Sequence, residues 1–424
     1  VPEAGPTDAV RKRTRALAPF RHRPFALLWT GAFVSNIGTW MESIALGTYV
    51  DHLTGSALWV GIVAAAAFVP IAFFGPIGGA LADRLPRKWL LITTSLLQMG
   101  LATLLTILFA TGSPSAPTVA LIAFGNGICA ALGFPAFQAL LPDLVPVEDL
   151  SGAIALSSAQ FNLGRVVGPA LAGIVIRFGG FAWAEAINAV SFLAVVAVLL
   201  TLVLPAPDPN ARLQKIWASI KEGFAFVRRD PGLRVNASAM CLNTFLAAPF
   251  IALVPAMAGQ VLGNVKTGTS VLVTAQGIGA VCMAFALGPL VGRYGARRVL
   301  FTMMGVLPIA LTFYAFAPTL ALSAFALLFV GAFYLGALST FTTVAQLRAP
   351  ANLRGRVLAV HTVILGALYP LGAIVQGKVA DVIGLRATTF GAAAVMAAVL
   401  LIVRAVRPGI SRAIDAPVAV GSAP

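Results

Sequence analysis

The chain has 424 residues, 59% of them hydrophobic and 10% charged, where a soluble domain carries about 25% charged residues. A water-soluble fold of this length needs more polar surface than that, so the composition excludes one and points to an all-α integral membrane protein. The net charge of +15 does not indicate nucleic acid, because the basic residues sit in short clusters between long apolar runs, with no extended basic face or recognition motif.

The chain opens on a polar stretch, 1–24, and its first apolar run starts near Phe25. That run is too long for a signal-peptide core of ~7–15 residues, and it reads as a spanning helix. A spanning helix needs about 20 mostly apolar residues. Segments 25–50, 58–81, 89–111, 118–141, 151–177, 181–204, 234–262, 268–292, 298–317, 319–344, 356–383 and 385–406 meet that requirement, which makes twelve.

The first segment carries Asn36, Trp40 and Glu42. The fourth carries Asn126 and no charge. Gln160, Asn162 and Arg165 lie in the fifth, and Glu185 enters the sixth with Asn188 one turn deeper on the same face. Between the two sets of six lies 205–233, with a Pro-rich start followed by Leu213, Ile216, Trp217, Ile220, Phe224 and Val227 at helical spacing. Basic residues fill the other face, the pattern of an amphipathic helix on a membrane surface. The second set adds Asn243, Gln276, Tyr334, His361 and Tyr369, and 407–424 forms a tail. The expected organisation is therefore a tail 1–24, a six-helix bundle 25–204, a linker 205–233, a second bundle 234–406 and a tail 407–424.

Alternate connections differ sharply in charge. The N-terminal tail, the central segment, the loops after the second, eighth and tenth segments, and the C-terminal tail hold 24 of the 29 basic residues. The other loops hold Arg177, Lys266, Lys378 and Arg386, and Arg165 lies within a span. This bias places both termini in the cytoplasm. Cys129, Cys241 and Cys282 lie in apolar runs without metal-ligand spacing and read as buried thiols. No Gly-x-x-x-x-Gly-Lys-Ser/Thr loop occurs, and no Ser/His/acid or His/Glu metal arrangement is evident, so neither an ATP-driven pump, an enzyme nor a cofactor is expected.

The two halves echo each other: "VPVEDLSGAIAL" opens the fifth segment and "APANLRGRVLAV" the eleventh, and "ADRLPRK" is matched by "GRYGARR". Six plus six with internal similarity is a transporter repeat pattern. The stretch Gly79-Ala-Leu-Ala-Asp83-Arg84-Leu-Pro-Arg87-Lys88 resembles the loop between spans two and three of major facilitator superfamily transporters, with Pro86 where that family usually has glycine. The resemblance implies two pseudo-symmetric six-helix bundles. It also implies a latch, in which Gly79 permits close approach and Asp83 caps the start of the eleventh helix while the protein is open outward. Arg84, Arg87 and Lys88 anchor orientation. The alternative is that these charges serve topology alone.

Gly164-Arg165-Val-Val-Gly168-Pro169-Ala-Leu-Ala172-Gly173 resembles the Gly-x-x-x-Gly-Pro motif of exporters in that superfamily, with glycines packing against the other half and Pro169 kinking the helix. "FRHRPFALLWTGAFVSNIGTWMESIALG" and "PANLRGRVLAV" resemble the branch that holds the enterobactin exporter and the macrolide efflux pumps. The resemblance implies export of amphipathic small molecules from the bacterial cytoplasmic membrane by a working monomer. Unlike many drug–proton antiporters of the superfamily, the fourth segment lacks an arginine.

An ionisable residue at the centre of a span costs at least ~2.5 kcal/mol and is functional by default. Glu42 and Arg165 lie at similar depth, and the expectation is that they pair or compete for a shared proton and substrate. Desolvation favours a neutral carboxyl and a nearby arginine favours an ionised one, so a site alternating between the two can exchange protons. Glu42 is the leading proton carrier. A fixed structural pair with Arg165 is the alternative, and Glu185, being shallow, is expected to be interfacial. Asn36, Trp40, Asn126, Gln160, Asn162, Asn243, Gln276, Tyr334, His361 and Tyr369 are candidates for the substrate pocket. The expected activity is proton-driven export. A lipid or lysolipid flippase, a proton-independent facilitator and a membrane sensor are the alternatives.

Overall fold

The computed structural model describes residues 17–202, 216–264, 267–350 and 353–415. Arg11, Lys12, Arg13, Arg15, Arg212, Leu213, Lys215 and Lys266 lie outside the described residues. Among the described residues, ten helices are long and apolar enough to cross a bilayer. One of them, Val147–Thr201, has 55 residues and is broken at Gly180, where φ is 77° and ψ −174°. Glycine reaches that conformation at little cost, and the chain turns back there, so this element crosses twice. Arg23–Thr54, with 32 residues, is less apolar because it carries Asn36, Glu42 and several hydroxyls, and it completes the twelve.

The crossings are α1 (Arg23–Thr54), α2 (Ala57–Arg84), α3 (Arg87–Thr111), α4 (Ala116–Leu144), α5 (147–179) and α6 (181–201). Helix α7 (Ile216–Arg229) follows, and then α8 (Pro231–Val261), α9 (Gly268–Tyr294), α10 (Ala296–Phe316), α11 (Leu320–Arg348), α12 (Arg354–Ile383) and α13 (Leu385–Val406). Caps set several starts: Ser56, Ser115, Asp230 and Thr319 each accept a hydrogen bond from a backbone N–H three residues on. Helix α8 widens into π-turns at Asn243–Ala247 and Met257–Val261, the kind of irregularity that recurs at functional sites.

Within the first bundle α1 packs on α5 and α6, α2 on α4, and α3 on α6. In the second, α9 packs on α11, and α10 on α11 and α13. The bundles meet most extensively through two related contacts, α2 with α12 and α5 with α9, and α8 also touches α1 and α2. Large apolar side chains such as Phe73, Leu121, Phe285 and Val406 point out of the protein, as a lipid-facing surface requires.

Arg84, Arg87, Arg354 and Arg356 lie at one face of the protein, the basic face. There the described part of α7 lies against the first turn of α12. Gly223 packs on the Arg356 backbone, Glu222 pairs with Arg356, and Val227 is buried. Asp230 caps α8 through the Leu233 N–H at 2.6 Å and holds Arg348 in a bidentate pair at 2.9 and 2.7 Å. Burial pushes the Asp230 carboxyl up, but the Arg348 and Leu233 hydrogen bonds outweigh it and hold the group below the ordinary aspartate value.

Candidate functional site

Between the bundles lies a cavity of about 1310 Å³, larger than the ~300–1,000 Å³ of ordinary ligand pockets. It reaches the basic face, because its walls include Gly79, Asp83 and Arg84 at the end of α2 and Gly355 and Arg356 at the start of α12. At the opposite face the bundles close on each other. Asp381, near the end of α12, accepts from the Ser56 hydroxyl at 2.6 Å and from the Ala57 and Leu58 N–H groups at 2.7 and 3.3 Å, so it caps α2 from across the interface. Asp51 of α1 accepts from Gln260 of α8 at 2.6 Å. Glycines bring the backbones together at the same end: a Cβ on Gly377 would lie 2.6 Å from the Ala57 carbonyl oxygen, and one on Gly61 would lie 2.5 Å from the Ala373 carbonyl oxygen.

Glu42 lines this cavity yet is nearly buried, 6% exposed. Its two carboxyl oxygens are held by two amides, Asn126 of α4 on one and Asn188 of α6 on the other, the second at 2.6 Å. The expected pair with Arg165 does not form: among the described residues Arg165 makes no ion pair or hydrogen bond. The two residues share a depth but not a direction. Glu42 turns toward α4 and α6, whereas the Arg165 guanidinium stands 5.7 Å from the centre of the Trp40 ring and faces the cavity.

Glu185 corrects a second expectation. It is 0% exposed rather than interfacial, and neither carboxyl oxygen has a hydrogen-bond partner among the described residues. The turn at Gly180 sends α6 straight back into the bundle, and Glu185 then sits one helical turn from the Asn188 that holds Glu42.

The motif glycines also differ in partner from the expectation. A Cβ on Gly164 would lie 3.1 Å from that of Asn36, and one on Gly168 would lie 2.8 Å from the Ile37 carbonyl oxygen. Both therefore seat α5 on α1 of the same bundle. Gly173 alone of the three meets the other half, where its Cβ would lie 2.7 Å from that of Ser270. Pro169 is buried inside the same helix.

Of the pocket candidates, Asn36, Trp40, Asn126, Tyr334 and Tyr369 line the cavity. Gln160, Asn162, Asn243, Gln276 and His361 do not. Asn162 donates to the Ser158 carbonyl at 2.8 Å within its own helix, and His361 Nε2 meets the Asn236 amide at 3.3 Å. Gln160, Asn243 and Gln276 are buried elsewhere. Of the loop residues, Asp83 has no hydrogen-bond or ion-pair partner among the described residues, and a Cβ on Gly79 would meet nothing within 4 Å. Arg87 pairs with Asp143 at 2.8 Å, and Lys88 donates to the Leu200 and Leu202 carbonyls at 3.1 and 2.7 Å, closing the end of α6. The glycine contacts between α2 and α12 were not foreseen. Their signal was the set of small residues Gly366, Ala373 and Gly377 in the eleventh segment, which share a helix face.

The profile of the family described as transmembrane secretion effector matches residues 14–417. The chain is similar to the multidrug efflux pump Tap of Mycolicibacterium fortuitum, 29% identical over 86% of this chain and 91% of that one. It is 28% identical to macrolide efflux protein A of Streptococcus pyogenes, over 85% and 90%, and 26% identical to the enterobactin exporter EntS of Citrobacter koseri, over 63% and 71%. Among solved structures, the nucleoside transporter NupG shares the fold with a TM-score of 0.74 at 15% identity, covering 89% of this chain and 99% of that one. Twelve crossings in two bundles, a central cavity and the match along nearly the whole chain agree: this protein is a membrane transporter, and it belongs to the transmembrane secretion effector family of the major facilitator superfamily.

Proposed function

We propose that the protein is a proton-driven exporter of amphipathic small organic molecules that works by alternating access. The observation that carries this reading is Glu42, a carboxyl on the wall of a large apolar cavity, held by two neutral amides and by no cation. Such a group can take up and release a proton as the cavity changes sides, and a fixed ion pair cannot.

The basic face is cytoplasmic on the charge bias, with both termini on that side. The cavity would then load from the cytoplasm. Closing it brings the ends of α2 and α12 together, where Asp83 would cap α12 and Gly79 would admit the neighbouring backbone. The Asp381 and Asp51 contacts release as the opposite face opens. The relatives include exporters of drugs and of a siderophore by name, which supports export rather than uptake. The setting is a bacterial cytoplasmic membrane, and a single chain contains the whole cavity.

The test uses everted vesicles with an acidic interior and a pH-sensitive dye, and a panel of amphipathic antibiotics, siderophores and lysolipids. Dissipation of the gradient by one of these compounds, lost in Glu42→Gln, supports the reading. Labelled compound or lipid crossing without proton movement refutes it and favours a facilitator or flippase.

A further inference from the structure

The guanidinium of Arg165 has an unusual position. It lies about 27 Å along α5 from Val147, at 1.5 Å per residue, which is mid-membrane depth. A guanidinium there is costly to hold without a counter-charge, and arginines in spans ordinarily pair with a carboxylate. Here the nearest candidate is engaged elsewhere, since both Glu42 oxygens are occupied by Asn126 and Asn188. What Arg165 does have is the Trp40 ring at 5.7 Å, with Tyr334 and Tyr369 across the cavity wall. Trp40 orients the fork and leaves its N–H donors toward the open cavity.

We propose that Arg165 is the substrate's anchor and that the preferred substrate is an amphipathic aromatic organic anion. Its acidic group, a carboxylate, sulfonate or phenolate, takes the two parallel N–H donors of Arg165. Its aromatic body lies against Trp40, Tyr334 and Tyr369, in walls that are mostly apolar. This assignment rests on the transport reading above, because it names what fills the cavity that moves.

The experiment compares two dyes of one ring system, the anion fluorescein and the cation rhodamine 123. Each is titrated into the purified full-length protein in lipid nanodiscs at pH 8, with fluorescence anisotropy as the readout. Native protein binds fluorescein at least about tenfold more tightly than rhodamine 123, the ratio expected for one charge-assisted hydrogen-bonded pair. Arg165→Gln abolishes the preference and Arg165→Lys keeps part of it. Equal or reversed preference in the native protein overturns the proposal, as does an Arg165→Gln protein that is monodisperse and still prefers the anion. The native comparison decides the matter even where a variant does not fold. Vesicle flux separates the two claims. Anion-selective binding without flux contradicts the exporter reading and leaves this one standing, whereas flux of rhodamine 123 with no anion preference does the reverse.

Discussion

Replacing Asp381 by alanine tests how the closed face is held. The carboxylate accepts three hydrogen bonds at 2.6, 2.7 and 3.3 Å, two of them from the exposed N–H groups that begin α2. It belongs to the other bundle, so its whole contribution depends on the bundles being together. Loss of an aspartate cap costs about 0.5–2 kcal/mol, and the charge adds about 0.3–1 kcal/mol at a helix N-terminus. The carboxylate is exposed, so about 1–2 kcal/mol is the expected total. At 1.4 kcal/mol per factor of ten, the equilibrium shifts roughly 5- to 30-fold toward an open face. Spin labels at Thr111→Cys and Pro318→Cys, both exposed at that face, in a background with Cys129, Cys241 and Cys282 replaced by alanine, report the separation directly. Asp381→Ala moves population to the longer distance, and Asp381→Asn, which keeps one acceptor oxygen, moves it less. Identical distance distributions in native and Asp381→Ala proteins would refute this role for Asp381.

Two further outcomes are expected. Gly79→Val leaves the melting temperature unchanged, because a Cβ there meets nothing within 4 Å, yet lowers flux more than about tenfold because the basic face can no longer close; native-like flux contradicts this. Asp230→Asn breaks a buried bidentate pair and costs about 3–5 kcal/mol by thermal melting. The native carboxyl is held low, so its contribution is complete above the ordinary aspartate value and is lost as pH falls through the lower folded value. The native melting temperature therefore drops more steeply below about pH 4 than that of Asp230→Asn, and parallel acid limbs would count against this account of the pair.

The apolar runs made all twelve crossings legible, including the reversal at Gly180, because length and hydropathy are properties of each segment alone. Depth along the membrane was legible too, which is why Glu42 and Arg165 were placed at one level. Direction around the helix axis was not. Whether Glu42 turns to Arg165 or to Asn126 and Asn188 depends on how α1, α4, α5 and α6 are rotated against one another, and sequence spacing fixes only which residues of one helix share a face. The same limit explains Glu185, whose shallow position said nothing about how much protein surrounds it. It also explains Gly164 and Gly168, whose spacing marks a surface for close packing but does not say which helix packs there. Charge bias, by contrast, is a sum over loops, and it identified the basic face to which the cavity opens.

Purified protein in liposomes, given a substrate found by the vesicle screen, tests proton coupling most directly. Two fluxes are compared in native and Glu42→Gln proteins: accumulation driven by an imposed pH gradient, and exchange of labelled for unlabelled substrate with no gradient. A permanently neutral side chain at position 42 still allows the loaded cavity to change sides but can no longer pass a proton. The account predicts that Glu42→Gln keeps exchange and loses accumulation. Accumulation at the native level in Glu42→Gln would contradict it.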